Sequence, residues 1–478
     1  MRTKTFLPPL LLISLQLIIT KQSFAQQLSS ALQQFVSIKA DTLALTHVKI
    51  IDGTGQPAKN DQTVVITKGR IAQIGKSGTV NFSASVKVMD CSGKTIIPGM
   101  IMMHEHLFYG ESVSPYYFGI EMPLSFPRLY LAGGVTTMRT TGATEPQTDL
   151  NIKNWIDEGK MIGPDIDVTG PYIERAFFPI PEIQFIKSPE EAEKDVSYWI
   201  SKGCTSFKVY NNITKEDLKA VIILAHKYNL KVTGHLCSIT YREAAELGID
   251  NLEHGFVPAS DFVTGKKENV CPLVAVTPSL KKLDVNSEEM KKLIAFLIEK
   301  KVTLTSTLPV FEPNTGREVV PGGGEDALAP SIKDVIQKNY QASVGRDSSD
   351  IAFFKKEMAW EKQFVDMGGR LMAGIDPTGS GRTIPGYADR HIIELLVEAG
   401  FTLAQAVKIC CLNAAEYLGR DKEIGTIEVG KKADIVLMNG DPQKDIKAVR
   451  NTEIVFKNGV GFDSKKLFES VKGKVGLY

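Results

Sequence analysis

Three textures of apolar and polar positions divide the chain. From residue 43 onward, short apolar runs alternate with turns: residues 43–45, 48–51, 63–67, 70–74 and 86–90 read as strands, with Lys68-Gly69 as a tight turn. The same texture returns at 425–427, 433–438 and 453–456, closed by Asn458-Gly459. It predicts one small β-sandwich built from both ends, residues 26–97 plus 423–478, with a short helical lead-in over 26–40. Between the ends the period changes. Apolar runs at 99–103, 134–139, 165–169, 205–210, 231–235, 249–254, 302–307 and 370–375 read as strands. Amphipathic helices are clearest at 189–202, 215–228, 241–247 and 287–300. Eight β–α repeats over residues 98–422 predict an α/β fold of the (β/α)8 TIM-barrel type.

The third texture is N-terminal. Arg2 and Lys4 precede an apolar run over 6–19, and Ser23-Phe24-Ala25 has the small-x-small form of a cleavage site. Residues 1–25 therefore read as a signal peptide, and the mature chain as periplasmic or secreted. The run is shorter than the roughly 18 residues a membrane span needs, and no membrane partner beyond the leader is expected. Lys+Arg 56 against Asp+Glu 55 leaves no basic field for nucleic acid. Six cysteines form no C-x-x-C pair. An oxidising compartment permits disulfides, but buried free thiols are the expectation for a chain of 478 residues. Cys237, two residues past His235, is the one placed near the chemistry. The choice between monomer and homo-oligomer is left open.

The chemistry gathers at strand ends. His104 and His106 close the first strand of the repeat, and residues two apart on a strand point to one side. Two such imidazoles are half of a metal site. In a (β/α)8 barrel the remaining donors should end other strands. Lys208 ends the fourth, His235 the fifth and His254 the sixth, and Asp376 follows the eighth. Four of the seven histidines fall on this pattern. Glu105 alternates away from its neighbours and reads as structural. Tyr210 is either a donor to substrate or a rim packing residue. Arg139 is either a carboxylate receptor or a scaffold salt bridge, as is Arg175. His391 is a candidate for substrate binding or for orienting the Asp376 loop. His226 and His47 lie outside the pattern.

In order, Pro98-Gly99, His104-Glu105-His106, Phe207-Lys208-Val209-Tyr210, Gly234-His235, Glu253-His254-Gly255, Ala373-Gly374-Ile375-Asp376 and the tail 425–436 resemble the binuclear amidohydrolase superfamily. Within it, the Lys-Val-Tyr run and residues 386–400 resemble the imidazolonepropionase-like and Xaa-Pro dipeptidase-like branch. The resemblance implies two divalent metal ions. His104, His106 and Asp376 would hold one, and His235 and His254 the other. Lys208, carboxylated by CO2, would bridge them. A lysine ammonium would repel two cations, whereas a carbamate offers two anionic oxygens; a buried lysine paired with a carboxylate is the alternative. Zinc is the default for such donors. The implied reaction is attack of a metal-bridging hydroxide on a carbonyl, with Asp376 as proton shuttle.

The expected activity is hydrolysis of an amide C–N bond in a small-molecule substrate, foremost a dipeptide or N-acyl amino acid. A lactone or cyclic amide is the second reading, and a non-catalytic scaffold the third. A bridging lysine argues against imidazolonepropionase activity itself. Specificity is expected in the loops 108–128, 171–187 and 311–329, the last carrying Gly322-Gly323-Gly324 as a candidate lid.

Overall fold

A computed structural model describes residues 28–113, 116–175, 180, 182–183, 185–345, 348–378 and 381–476. The expected signal peptide lies outside these. No described helix is long and apolar enough to cross a membrane.

The architecture is α/β. Two parallel sheets carry the middle of the chain. In the first, Met100–Glu105 pairs with Val135–Thr140, which pairs with Asp165–Asp167. The second runs in chain order through Thr169–Ile173, Ser206–Val209, Lys231–Gly234, Asn251–Glu253, Thr303–Ser306 and Leu371–Ala373. The third sequence-predicted strand is thus split at Val168, half in each sheet. Both seams between the sheets are bridged. Ala143 pairs with Pro171 on one side. On the other, Asp376 N–H donates to His104 O at 3.0 Å. Gly374 makes that approach possible, since a Cβ there would fall 2.4 Å from His104 Cβ.

Local signals explain why the helices start and stop between these strands. Ser188 caps Pro189–Lys202, with proline at its start and Gly203 in the left-handed region after it (φ 108°). Thr214 with Asp217 and Thr240 with Glu243 form capping boxes for Lys215–Lys227 and Tyr241–Leu247. Glu288–Glu299 buries Met290, Leu293, Ile294 and Leu297, a 3.6-residue stripe.

Strands from the two ends join in one nine-stranded mixed sheet. Ile435–Asn439 pairs antiparallel with Lys94–Pro98, Val436 opposite Ile97. Leu43, Leu45, Val64, Ile66, Ile96, Ile435, Leu437 and Phe456 form its apolar cluster. Residues 425–427, expected as a strand, are turn and coil. The sequence TIE alternates like a strand, but Gly425 sits at φ 91° and the segment spends its Ile427 N–H on Asp52 O. Residues 30–35 of the lead-in form a short 3-10 helix.

Two features depart from expectation. Cys237 and Cys271 are disulfide-bonded, while Cys91, Cys204, Cys410 and Cys411 are free and buried. The loop after His106 is a β-hairpin, Phe108–Val113 against Tyr116–Glu121.

Candidate active site

Six sequence-predicted residues arrive at one place because the strands that carry them are neighbours. Val209, Gly234 and Leu252 lie in register on adjacent strands, so Lys208, His235 and His254 leave successive strand ends. Asp376 follows the last strand and returns to His104 through its own N–H. His104, His106, Lys208 and His254 are almost fully buried. Neighbouring rings are close: centroids lie 4.4 Å apart for His104–His254 and for His235–His254, and 5.5 Å for His104–His106.

Three imidazoles are pinned through one ring nitrogen. His104 Nδ1 lies 2.7 Å from Glu253 Oε2, His106 Nδ1 2.9 Å from Gly142 O, and His254 Nδ1 2.8 Å from Thr307 Oγ1. With neutral rings the acceptor oxygens of Glu253 and Gly142 place the proton of His104 and His106 on Nδ1 and leave their Nε2 lone pairs pointing inward, and Thr307 holds the His254 ring with its Nε2 inward as well. The inward atoms converge on Asp376: His106 Nε2 at 3.6 Å, His104 Nε2 at 3.7 Å and His254 Nε2 at 3.8 Å from its carboxylate oxygens. These separations are too long for hydrogen bonds. They suit donors sharing an ion about 2.1 Å from each, which sit about 3.4 Å apart in a tetrahedron. His254 Nε2 is buried with no hydrogen-bond partner, an otherwise costly orphan. His104, His254 and Asp376 form a metal-capable cluster. Two of these residues hold left-handed backbone, His254 (φ 67°) and Asp376 (φ 48°), a strain that tight surroundings must impose.

The electrostatics fit metal ligation. Burial first, then the Lys208 charge, holds His104, His106 and His235 below the usual histidine range, His235 at about 3. For His254 burial leads, followed by its histidine neighbours. Neutral imidazoles are the ligating form. Burial lowers Lys208 to about 8, against the pull of Glu253 and Asp376; a neutral amine is the form that reacts with CO2. Lys208 Nζ lies 3.4 Å from His104 Nε2. Burial raises the Asp376 carboxyl above the usual carboxylate range, opposed by Lys208 and by the Thr378 hydroxyl, which donates to it at 2.7 Å.

Tyr210 packs edge-on to His235 at 4.9 Å and to Tyr172 at 5.1 Å. Glu105 accepts the Ile375 N–H and is structural, as expected. Three candidates are corrected. Arg139 does not face a substrate: its guanidinium donates to Met103 O, Asn251 Oδ1 and Glu253 Oε1, inside the scaffold. Arg175 is spent on Asp217 through two nitrogens, at 2.8 and 2.6 Å. His391 is enclosed by Glu312 at 2.7 Å, Glu394 at 3.2 Å and Arg450, so both its ring nitrogens are taken by these partners rather than by a substrate.

Sequence reasoning missed Glu253, Thr307, Tyr172 and Tyr117. Glu253 precedes a ligand-type histidine, a signal of the same kind as the histidines themselves. Tyr172 ends its strand and brings its hydroxyl to 3.4 Å from His106 Nε2. Tyr117 belongs to a hairpin that alternation did not reveal, because Gly110 and Gly119 interrupt the apolar pattern.

Comparison with known proteins agrees with this geometry. The Amidohydrolase family model matches residues 95–461. An imidazolonepropionase of Geobacillus sp. (strain WCH70) is 22% identical over 442 residues, covering 83% of this chain and 89% of that protein. A solved Xaa-Pro dipeptidase with bound methionine in its active site is 19% identical at a TM-score of 0.65, covering 88% of this chain and 100% of the other. Ochratoxinase of A. niger is 16% identical at a TM-score of 0.63, covering 89% and 96%. These likenesses, all distant in sequence, carry the fold, while the family match spans most of the chain. The chain belongs to the amidohydrolase family and is a metal-dependent hydrolase acting on carbon–nitrogen bonds.

Proposed function

We propose that this protein is a secreted or periplasmic binuclear amidohydrolase that cleaves an amide bond in a small substrate. The observation that carries the reading is the convergence of inward Nε2 atoms and the Asp376 carboxylate on one buried point, with three rings pinned from behind. In this reading the two parallel sheets close as a (β/α)8 barrel over residues 98–422. The nine-stranded sheet folds over its own apolar cluster as a sandwich of residues 26–97 and 423–478.

His104, His106 and Asp376 would hold one zinc ion and His235 and His254 the other, with carboxylated Lys208 between. Bound ions would acidify a water toward neutral pH and polarise a carbonyl. The protein's own groups do the rest. Asp376, its carboxyl raised by burial, takes the proton of the attacking water and returns it to the leaving nitrogen. The amide C–N bond breaks, the water oxygen joins the acyl carbon, and acid and amine leave. Tyr210 keeps its proton, because burial and Asp376 raise its hydroxyl far above neutral pH; it donates to the substrate carbonyl. The apolar leader and the Cys237–Cys271 disulfide support an oxidising compartment.

The assay spans dipeptides, N-acyl amino acids, uncharged amides, cyclic amides and lactones. Arg139 and Arg175, left open by the sequence between a carboxylate receptor and a scaffold salt bridge, are held by scaffold partners, which favours the uncharged members. Protein purified with zinc and bicarbonate should release amine or amino acid, and Asp376→Asn should not. Turnover that persists in Asp376→Asn would overturn the assignment of the shuttle. No turnover across the panel by a chain holding two metals would overturn amide hydrolysis.

A further inference from the structure

The hairpin Phe108–Val113/Tyr116–Glu121 follows His106 directly, and its register decides what it shows the site. Gly110 lies opposite Gly119, and Phe108 opposite Glu121. Alternation then puts Phe108, Gly110, Tyr117 and Gly119 on one face. That face is the one toward the histidines, since the Phe108 ring lies 4.9 Å from His106. Gly110 leaves a gap that the Tyr117 ring crosses. A Cβ at Gly110 would fall 1.5 Å from the Tyr117 hydroxyl and 2.2 Å from Thr378 O. The absent side chain therefore lets Tyr117 reach the turn whose Thr378 hydroxyl holds Asp376. The Tyr117 hydroxyl is buried there against Thr378.

Glu121, opposite Phe108, shares this face and accepts from the Thr144 hydroxyl at 3.1 Å; the rest of the wall is aromatic and apolar. Tyr117, Tyr210 and Phe185 pack on Phe108, Tyr172, Ile180 and Ile183. The arginines singled out for this side of the molecule are both spent on the scaffold. Lys208 lies under the Tyr172 and Tyr210 rings, at 5.1 and 5.5 Å, within the metal-capable cluster. A carboxylate moved from water onto such a wall loses its hydration and gains no guanidinium from Arg139 or Arg175. An aromatic group gains ring contacts there.

We propose that Tyr117, with Tyr172 and Tyr210, is a specificity residue that selects amides bearing an aromatic or bulky apolar group and no free carboxylate beside the scissile bond. The inference rests on the amide-hydrolase reading above and names its substrate class.

The test uses a matched pair, N-benzoylphenethylamine and N-benzoylphenylalanine, which differ only in the carboxylate. Binding to the metal-loaded Asp376→Asn protein is measured by calorimetry, and turnover by the parent protein is followed as amine release. The expected result is tighter binding of the uncharged probe by about tenfold or more. Tyr117→Ala removes the ring, readmits water to the wall and should narrow that ratio. Gly110→Ala, which displaces the same ring, should narrow it likewise. A merely structural tyrosine would change both probes together and leave the ratio alone, which would overturn the assignment. Equal binding, preference for the carboxylate, or no binding of either probe at roughly 1 mM would also overturn it. If the uncharged probe binds selectively but the parent releases no amine, the selectivity stands and the amide-hydrolase reading fails instead.

Discussion

Glu253 shows how one side chain can serve both scaffold and site. It takes His104 Nδ1 on one oxygen and Arg139 on the other, with Thr233 bonded to it as well. The carboxylate thus fixes the His104 tautomer and offsets a buried guanidinium. Glu253→Gln keeps the shape and removes the charge. It should lower metal affinity by about ten- to a hundredfold, read as metal retained per chain after dialysis against a competing chelator. His391 gives a pH prediction. Burial opposes its charge, but Glu312 and Glu394 outweigh that and raise it to about 9. A histidine raised in the fold contributes stability that is fully present below its unfolded value near 6.5 and lost as pH rises through about 9. The contribution is on the order of 3 kcal/mol. Melting temperature should therefore fall between pH 6.5 and 9 in the parent by more than in His391→Gln. Parallel profiles would mean the imidazolium does not hold this network.

At the scale of elements, the Cys237–Cys271 disulfide ties the loop after the His235 strand to the segment before the helix Leu273–Lys282. Its span of 34 residues corresponds to about 3–4 kcal/mol of loop-closure entropy. Cys271→Ser should lower unfolding stability by about that amount in denaturant titrations, and reductant should do the same to the parent but not to the variant. Strand order and helix boundaries were legible here because caps and apolar stripes are local signals. Ser188, Thr214 and Thr240 each mark a helix start in the sequence and in the structure. The hairpin was not legible, because Gly110 and Gly119 break its alternation and its partner is a site rather than a core. The run at 425–427 failed in the opposite direction: it alternates like a strand but has no strand to pair with.

For the whole molecule, three buried neutral imidazoles with a buried lysine and the half-buried His235 beside them are a costly state without ions, and ions that bind only the folded chain repay it by mass action. A hundredfold excess over the dissociation constant adds about 2.7 kcal/mol. Chelation should lower the melting temperature, and zinc with bicarbonate should restore it with two metals per chain. A melting temperature indifferent to chelation would mean the cluster holds no metal.

The sequence by itself determined the class of chemistry. His104, His106, Lys208, His235, His254 and Asp376 occur at strand ends in an order that alternation and the barrel rule make readable. It could not assign Arg139, Arg175 or His391, because each is an ionisable side chain near a strand end or on a helix, and its partner is distant in the chain. Glu253 lies 114 residues from Arg139 and Glu312 lies 79 from His391. Whether a charge faces a substrate or a buried counter-charge depends on which strands become neighbours, and only the tertiary structure decides that. The same is true of Tyr117: Gly110 fixes how closely its hydroxyl approaches Thr378, and that closeness exists only once the hairpin has folded over the turn that carries Asp376.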